Sequence, residues 1–328
     1  MTGKPSPLTY GDAGVSLEAA DAVVDRLRAA VASTRTPRVL GGLGGFAGLL
    51  SAGGFRDPVI VTGTDGVGTK LLLQRATGRF REAGIDLVGM CVNDVLCCGA
   101  QPAAFLDYIA VGRLAPDRVA QLVEGVADGC RQAGCALLGG ETAELPDLYA
   151  ADDFDLAGFA LGIVERDEII DGSRVEVGDA ILALPSSGPH ANGFTLVRRL
   201  LERAGIAAED TPEALLAPTR IYAGEVAALR AACDVRAIAH ITGGGLPGNL
   251  PRVLPEGIGA AVDPGDEPEL FVWLASLGVE QDEMRRVFNM GLGLIVIVAQ
   301  RDVAAALAAV PDARLIGGTV AGSGVRYP

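Results

Sequence analysis

Apolar and polar positions along the chain alternate between two periods. Leu17, Ala20, Val24, Leu27 and Val31 recur at spacings of three and four, which predicts an amphipathic helix. The run Val59-Ile60-Val61-Thr62 is β-branched and predicts a strand that enters the glycine-rich segment Gly63 to Lys70. Helical spacing returns over Ile85 to Cys98 and again from about Asp117 to Gln132. Cys135 to Leu138 is an apolar stretch that opens into Gly139-Gly140-Glu141-Thr142-Ala143-Glu144, and Gly158 to Val164 reads as another strand. The polar stretch Glu165 to Gly178 is the predicted division, giving domains of residues 1–168 and 169–328. Beyond it come a strand at Ala180 to Leu184, helices near 194–204 and 219–232, and a strand at Leu292 to Ala299. Strands and helices thus alternate in both halves, so the predicted class is α/β, mixed α and β, in two domains. The pattern leaves the direction of the strands open.

The length agrees with that division, since 328 residues exceed one typical core. Apolar residues make up 49% and charged residues 21%, the profile of a soluble globular protein. A net charge of −14 argues against nucleic acid or an anionic membrane as partner, because both demand a basic face. It leaves an anionic nucleotide open, because a metal and backbone amides can overrule the global sign. The first ten residues lack the apolar stretch of a signal peptide, and Leu292 to Ala299 is too short to span a bilayer. The expected location is the cytoplasm. Six cysteines without a C-x-x-C pair signal neither zinc nor thiol redox chemistry and read as small buried residues.

Three scarcities locate the chemistry. Arginine outnumbers lysine 25 to 2, and Lys70, the lysine outside the N-terminal tail, lies in the Gly63–Lys70 segment. Both histidines, His190 and His240, lie in glycine-rich segments, and all four asparagines are near glycines. Gly63 to Lys70 differs from a Walker A loop, because Thr69 separates Gly68 from the lysine and Asp65 sits inside. A carboxylate among phosphate-binding amides implies an intervening cation, hence Mg²⁺ with phosphate; a plain strand-to-helix turn is the alternative. Asn93-Asp94 interrupts a core-like helix, where an unpaired carboxylate would be costly. Glu141 is expected at a strand end, with Glu144 a capping residue. Asp65, Asp94 and Glu141 are therefore the candidate metal ligands. In the second half, Ser186 to Gly193 offers hydroxyls, His190 and Asn192 suited to a phosphate and sugar, and His240 to Gly245 repeats the style. His190 reads alternatively as a general base or as a surface turn histidine. Neither histidine has an orienting acid and no nucleophile elbow occurs, which disfavours a hydrolase.

In order and spacing, these segments resemble the AIR synthetase (phosphoribosylformylglycinamidine cyclo-ligase) family. The resemblance is carried by Tyr10 to Val15, GGLGGF (Gly41 to Phe46), TDGVGTK (Thr64 to Lys70), MCVND (Met90 to Asp94) and GGETAE (Gly139 to Glu144). It continues through EIIDGS, SSGPHANG, LLAPTRIY, HITGGG and FNMGLG, and covers about Leu8 to Gly318. It implies a ligase of purine biosynthesis that uses ATP and Mg²⁺ to close formylglycinamidine ribotide into aminoimidazole ribotide, releasing ADP and phosphate. It also implies a homodimer whose N-terminal domains form a shared β-structure, beside a C-terminal α/β domain. Carried onto this chain, ATP would meet Gly44, Gly45, Asp65, Gly66, Gly68, Thr69, Lys70 and Asn93, with Lys70 and His190 as catalytic residues. The ribotide would meet Ser187, His190, Asn192, His240, Thr242 and Gly243. Ala191 stands where the family often has serine, which removes one possible substrate hydrogen bond. A thiamine-phosphate kinase of the same fold is the alternative enzyme, and an inactive nucleotide-binding scaffold the alternative outside enzymes.

Overall fold

The computed structural model describes residues 17–42 and 47–327. The N-terminal half runs α1 (Leu17–Ser33), β1 (Val39–Leu40), β2 (Leu49–Leu50), β3 (Pro58–Gly66), α2 (Lys70–Thr77), α3 (Phe80–Cys97), β4 (Gln101–Val111), α4 (Pro116–Ala133), β5 (Ala136–Glu144) and β6 (Phe154–Glu165). The C-terminal half runs β7 (Ala180–Pro185), α5 (Phe194–Ala204), α6 (Ala223–Ala232), β8 (Val235–His240), α7 (Gly245–Asn249), β9 (Ile258–Val262), α8 (Glu269–Ser276), α9 (Gln281–Val287), β10 (Leu292–Val298), α10 (Val303–Ala309), β11 (Arg314–Ala321) and β12 (Val325–Arg326). Short 3₁₀ turns link several of them. The expected mixture of α and β in both halves is present.

The first half folds as a four-stranded sheet in the order β3-β6-β4-β5, antiparallel except for the β4–β5 pair. Period-two alternation sorts its residues onto two faces. Phe105 and Ile109 of β4 and Leu156 and Ala160 of β6 point to the helix side and are buried against α3 and α4. Ile60, Phe159 and Tyr108 point the other way and stay exposed. Glycines without a side chain let α3 approach: a Cβ on Gly158 would lie 2.5 Å from Phe105 and 2.8 Å from the Cys91 sulfur. The second half is a six-stranded sheet, β12-β9-β11-β7-β10-β8, antiparallel except for β12–β9. One of its faces shares a continuous core with α3 and α4 (Leu182, Leu184, Val296, Val226 and Leu229 with Leu87 and Val92). The helix α3 is therefore packed on both halves.

Two strands run further than the sequence pattern predicts. β3 continues through Gly66, so the expected glycine-rich loop shrinks to Val67–Thr69, and Lys70 opens α2. β5 continues through Glu144, which puts Glu141 in the interior of an edge strand rather than at a strand end. Inter-strand hydrogen bonding overrides the weak strand propensity of these glycines.

On the helix side of β4, Asp107 is 7% exposed and its Oδ2 has no hydrogen-bond partner among the described residues. Burial pushes this carboxyl up to about 7, against about 3.9 in an unfolded chain. Between those values the native state keeps a proton that the unfolded chain releases, so stability falls as pH rises across that window and levels above it. Asp107→Asn is neutral at every pH. It is expected to flatten this slope and to stabilise the protein at pH 8 by about 3–4 kcal/mol. Urea unfolding from pH 4 to 8 reads this directly, and identical slopes in wild type and variant would exclude Asp107 as their source.

Candidate active site

The site is built where the end of β3 meets α3 and the end of β8. Gly63 permits the approach, since a Cβ there would lie 3.2 Å from the Cys91 carbonyl oxygen and 3.9 Å from the Asp94 Cβ. Asp65, two residues on and on the same face, accepts the Gly66 N–H at 2.8 Å. Its carboxyl is pushed above the usual range, first by burial and then by the nearby Asp94 carboxylate, with the Gly66 N–H and His240 opposing. The two carboxylates are thus near enough to feel each other's charge.

Asp94 corrects an expectation. Its neighbours Asn93 and Val95 are buried, but the Asp94 side chain is 52% exposed, because the helix turns it away from the core that holds them. Its Oδ1 lies 2.9 Å from Nδ1 of His240, which is buried at the end of β8. His240 therefore does have an orienting acid. Asn93 is fully engaged: Nδ2 donates to the Arg220 carbonyl at 2.8 Å and Oδ1 accepts the Tyr222 N–H at 3.2 Å.

His190 is buried, with its ring 5.9 Å from that of His240 and 6.2 Å from that of Tyr222. Neither ring nitrogen has a hydrogen-bond partner among the described residues. Burial, reinforced by His240, Lys70 and Arg220, holds it neutral well below the ordinary histidine range. Its backbone is left-handed, with φ of 58°. A buried imidazole with both nitrogens unpaired is costly in the free protein, and a ligand group would relieve that cost.

The Lys70 ammonium, expected to reach phosphate, is wholly buried. It donates to Asp86 Oδ1 at 2.9 Å and to the carbonyls of His190 and Ala217 at 2.8 Å each. All three of its hydrogens have protein acceptors. Burial lowers its pKa and Asp86 opposes that shift. Thr69, the residue before it, meets Thr195 hydroxyl to hydroxyl at 2.9 Å across an open cleft lined also by Gly68, Asn192, Gly193 and Arg199.

The remaining candidates divide by what they already hold. Asn192 Oδ1 accepts the Gly243 N–H at 3.0 Å, tying the two glycine-rich loops together. Ser187 donates to the Pro218 carbonyl at 2.6 Å, and Thr242 to Asn249 Oδ1 at 3.4 Å. Gly44 and Gly45 lie outside the described residues. Asp65, Asp94, His190 and His240 are brought together; Glu141 is not. Residues Asp65, Gly158, Asp107 and Gly140 form one register row across the sheet, while Glu141 pairs with Tyr108 in the next. Asp65 therefore faces the helices and Glu141 the opposite surface, on the two edge strands about 14 Å apart. The three carboxylates expected to share a metal therefore do not meet within this chain, and no group of three metal-ligating side chains converges among the described residues.

Sequence reading also missed Asp86 and Tyr222. Asp86 is fully buried and accepts from Lys70, Gln74 and both the N–H and hydroxyl of Thr219. Its signal was a lone charge between Ile85 and Leu87 in an apolar helical run. Tyr222 donates to the Pro185 carbonyl at 2.9 Å, and a Cβ on Gly293 would strike its oxygen at 1.8 Å.

The AIR synthase related protein family matches this chain twice, its N-terminal domain over residues 50–164 and its C-terminal domain over 176–327. The chain is 55% identical over 306 residues to a protein of Sorangium cellulosum (strain So ce56) named phosphoribosylformylglycinamidine cyclo-ligase, covering 89% of this chain and 88% of that one. It is 52% identical over 337 residues to one of the same name from Gloeobacter violaceus, covering 98% and 100%. Its fold is similar to the crystal structure of thiamine-monophosphate kinase from Stenotrophomonas maltophilia K279a, with TM-score 0.68, 23% identity, and 93% and 95% of the two chains covered. It is also similar to hydrogenase maturation protein HypE in complex with ATP, with TM-score 0.68, 21% identity, and 94% and 89% covered.

Proposed function

The chain belongs to the phosphoribosylformylglycinamidine cyclo-ligase family, and from that membership we propose that it closes formylglycinamidine ribotide into aminoimidazole ribotide at the expense of ATP. The observation that carries this reading onto the site is the pairing of Asp65 and Asp94 from one half with His240 and the unpartnered His190 from the other. ATP transfers its terminal phosphoryl group to the formamide oxygen, turning a poor leaving group into phosphate. The amidine nitrogen then attacks that carbon, the C–O bond breaks, and phosphate leaves as the imidazole closes.

Mg²⁺ is the cation such chemistry takes with ATP, and Asp65 with Asp94 fits it. One or two carboxylates commonly suffice when phosphates and water complete the octahedron, and the mutual repulsion of this pair is what a divalent cation removes. Bound there, it would offset charge on the phosphates. Gly68 and Thr69, which line the cleft beside Thr195, and Gly66, whose N–H donates to Asp65, are assigned to the nucleotide. Asn93 and Lys70 act from behind it, holding the segment 217–222 and His190 in place. His190, neutral and unpaired, is assigned to the ribotide, with Ser187, Asn192, His240, Thr242 and Gly243 shaping its loops. The role of this part of the site is to hold nitrogen and carbon in ring-closing geometry.

ADP release should require formylglycinamidine ribotide when formylglycinamide ribotide, thiamine phosphate and selenide are offered beside it. Release with thiamine phosphate instead would overturn the assignment. The apolar outer face of the first sheet, with Ile60 62% and Phe159 43% exposed, supports a homodimer formed through that face. Glu141 would then lie at the interface. Sedimentation at micromolar concentration is expected to give twice the 33.5 kDa chain mass, and a fully active monomer would refute the dimer. No helix among the described residues is long and apolar enough to cross a membrane.

A further inference from the structure

The pair formed by Lys70 and Asp86 links more segments than any other buried polar group near the site. The ammonium, on the first residue of α2, bonds Asp86 of α3 and two carbonyls of the C-terminal half, His190 and Ala217. Asp86 in turn accepts the Thr219 N–H at 2.8 Å, the Thr219 hydroxyl at 2.6 Å and the Gln74 amide at 2.7 Å. Lys70, Asp86 and Gln74 are each 0% exposed and Thr219 1%. Water therefore cannot replace any of these bonds, and each loss would leave a buried polar group unpaired.

The same face of α3 continues the contact. Gly89, three residues beyond Asp86, lets Thr219 approach, since a Cβ there would lie 2.8 Å from its side chain. Asn93, a further four residues on, binds the Arg220 carbonyl and the Tyr222 N–H. Helical spacing thus presents three positions of α3 to one segment, 217–222. His190 meets this scaffold at its most constrained point. A histidine with φ of 58° keeps that backbone when its surroundings fix it, and the Lys70 bond to the His190 carbonyl is one of the contacts that hold it.

We propose that Asp86 and Lys70 are a positioning pair for the ribotide side of the site, setting the His190 backbone and the 217–222 segment from the nucleotide-bearing half. The proposal rests on the ligase reading above for its substrate, though its geometry does not. Lys70 directly follows the Val67–Thr69 loop, so the pair also joins the two sides mechanically.

Asp86→Asn keeps the volume and removes the charge. We expect the KM for formylglycinamidine ribotide to rise and kcat to fall, each roughly tenfold, with the KM for ATP within about twofold of wild type. A second readout needs no turnover. The chain has two histidines, so with its purification tag removed and histidine Cε1 labelled, its ring spectrum has two resonances, assigned through His240→Gln. The His190 resonance should move in Asp86→Asn and the His240 resonance should stay. Should Asp86→Asn fail to fold, Thr219→Val removes one donor to the same oxygen and should act in the same direction. Thr219→Ser restores the hydroxyl and should restore both readouts. A lower melting temperature with unchanged kinetic constants and an unmoved His190 resonance would overturn the proposal. Failure of wild type to release ADP with the ribotide would instead sink the ligase reading, leaving the spectroscopic arm to decide the positioning role.

Discussion

Asp94→Asn is expected to slow ADP release by about two to three orders of magnitude while leaving the folded protein nearly as stable. The geometry separates the two effects. The side chain is 52% exposed, so little of its environment depends on burial. An asparagine retains an oxygen that can accept from His240 Nδ1, preserving the 2.9 Å contact if that nitrogen carries the hydrogen. A half-exposed pair of this kind contributes about 0–1 kcal/mol, which for a chain of this size shifts the melting temperature by no more than about 4 °C. What the substitution does remove is a full negative charge beside Asp65. In the free protein that charge is a burden, since it pushes the Asp65 carboxyl upward. With Mg²⁺ and ATP bound it becomes half of the carboxylate pair proposed to hold the cation. The variant should therefore need more Mg²⁺ for half-maximal ADP release and remain slow at saturation. Melting temperature and Mg²⁺ dependence measured on one preparation decide the matter. A destabilised protein with a wild-type Mg²⁺ response would make Asp94 a structural partner of His240 and nothing more.

Asp94 also marks where sequence reading reaches its limit. The flanks Met90 to Val92 and Val95 to Cys97 are correctly core-like, but a helix advances about 100° per residue, so buried neighbours do not bury the residue between them. α4 and α5 were legible almost to their ends because each has one strong period along its length, and β10 because it is an unbroken apolar run. Sheet order was not, because β3 and β5 are brought to opposite edges by β6 and β4, whose pairing is nonlocal. That order, together with strand parity, separates Asp65 from Glu141, and nothing within Thr64 to Lys70 or Gly139 to Glu144 encodes it. The rarity of lysine drew attention to Lys70 but could not show where its ammonium goes. A lone cation in a glycine-rich segment reads as a phosphate ligand, whereas this one turns inward to a carboxylate sixteen positions later. Asp86 carried the complementary signal, a charge with apolar neighbours on both sides in a helix, which any amphipathic helix also tolerates.

That buried pair sets the largest expected effect on stability. Lys70→Met keeps the aliphatic stem, which passes near Phe194 (the ammonium lies 5.4 Å from the ring centroid), and deletes the charge and its three hydrogens. Asp86 is then left as a carboxylate with 0% exposure and only neutral donors, from Gln74 and Thr219. Breaking one side of such a pair costs about 3–5 kcal/mol, a large part of the 5–15 kcal/mol that typically separates folded from unfolded protein. The carbonyls of His190 and Ala217 lose their donor at the same time, so the penalty falls on both halves of the molecule. Replacing both charges, as Lys70→Met with Asp86→Leu, should recover part of the loss, because no buried charge remains to be solvated. Recovery should stay partial, because Thr219 and Gln74 then lack an acceptor. Activity should not return with stability, since nothing in the double variant grips the His190 carbonyl. Urea unfolding of the two single variants and the double variant gives the coupling between the residues, expected to be large and favourable to the pair. Additive losses, or a Lys70→Met protein as stable as wild type, would mean that the ammonium is not held in this network and that another contact keeps the two halves in register.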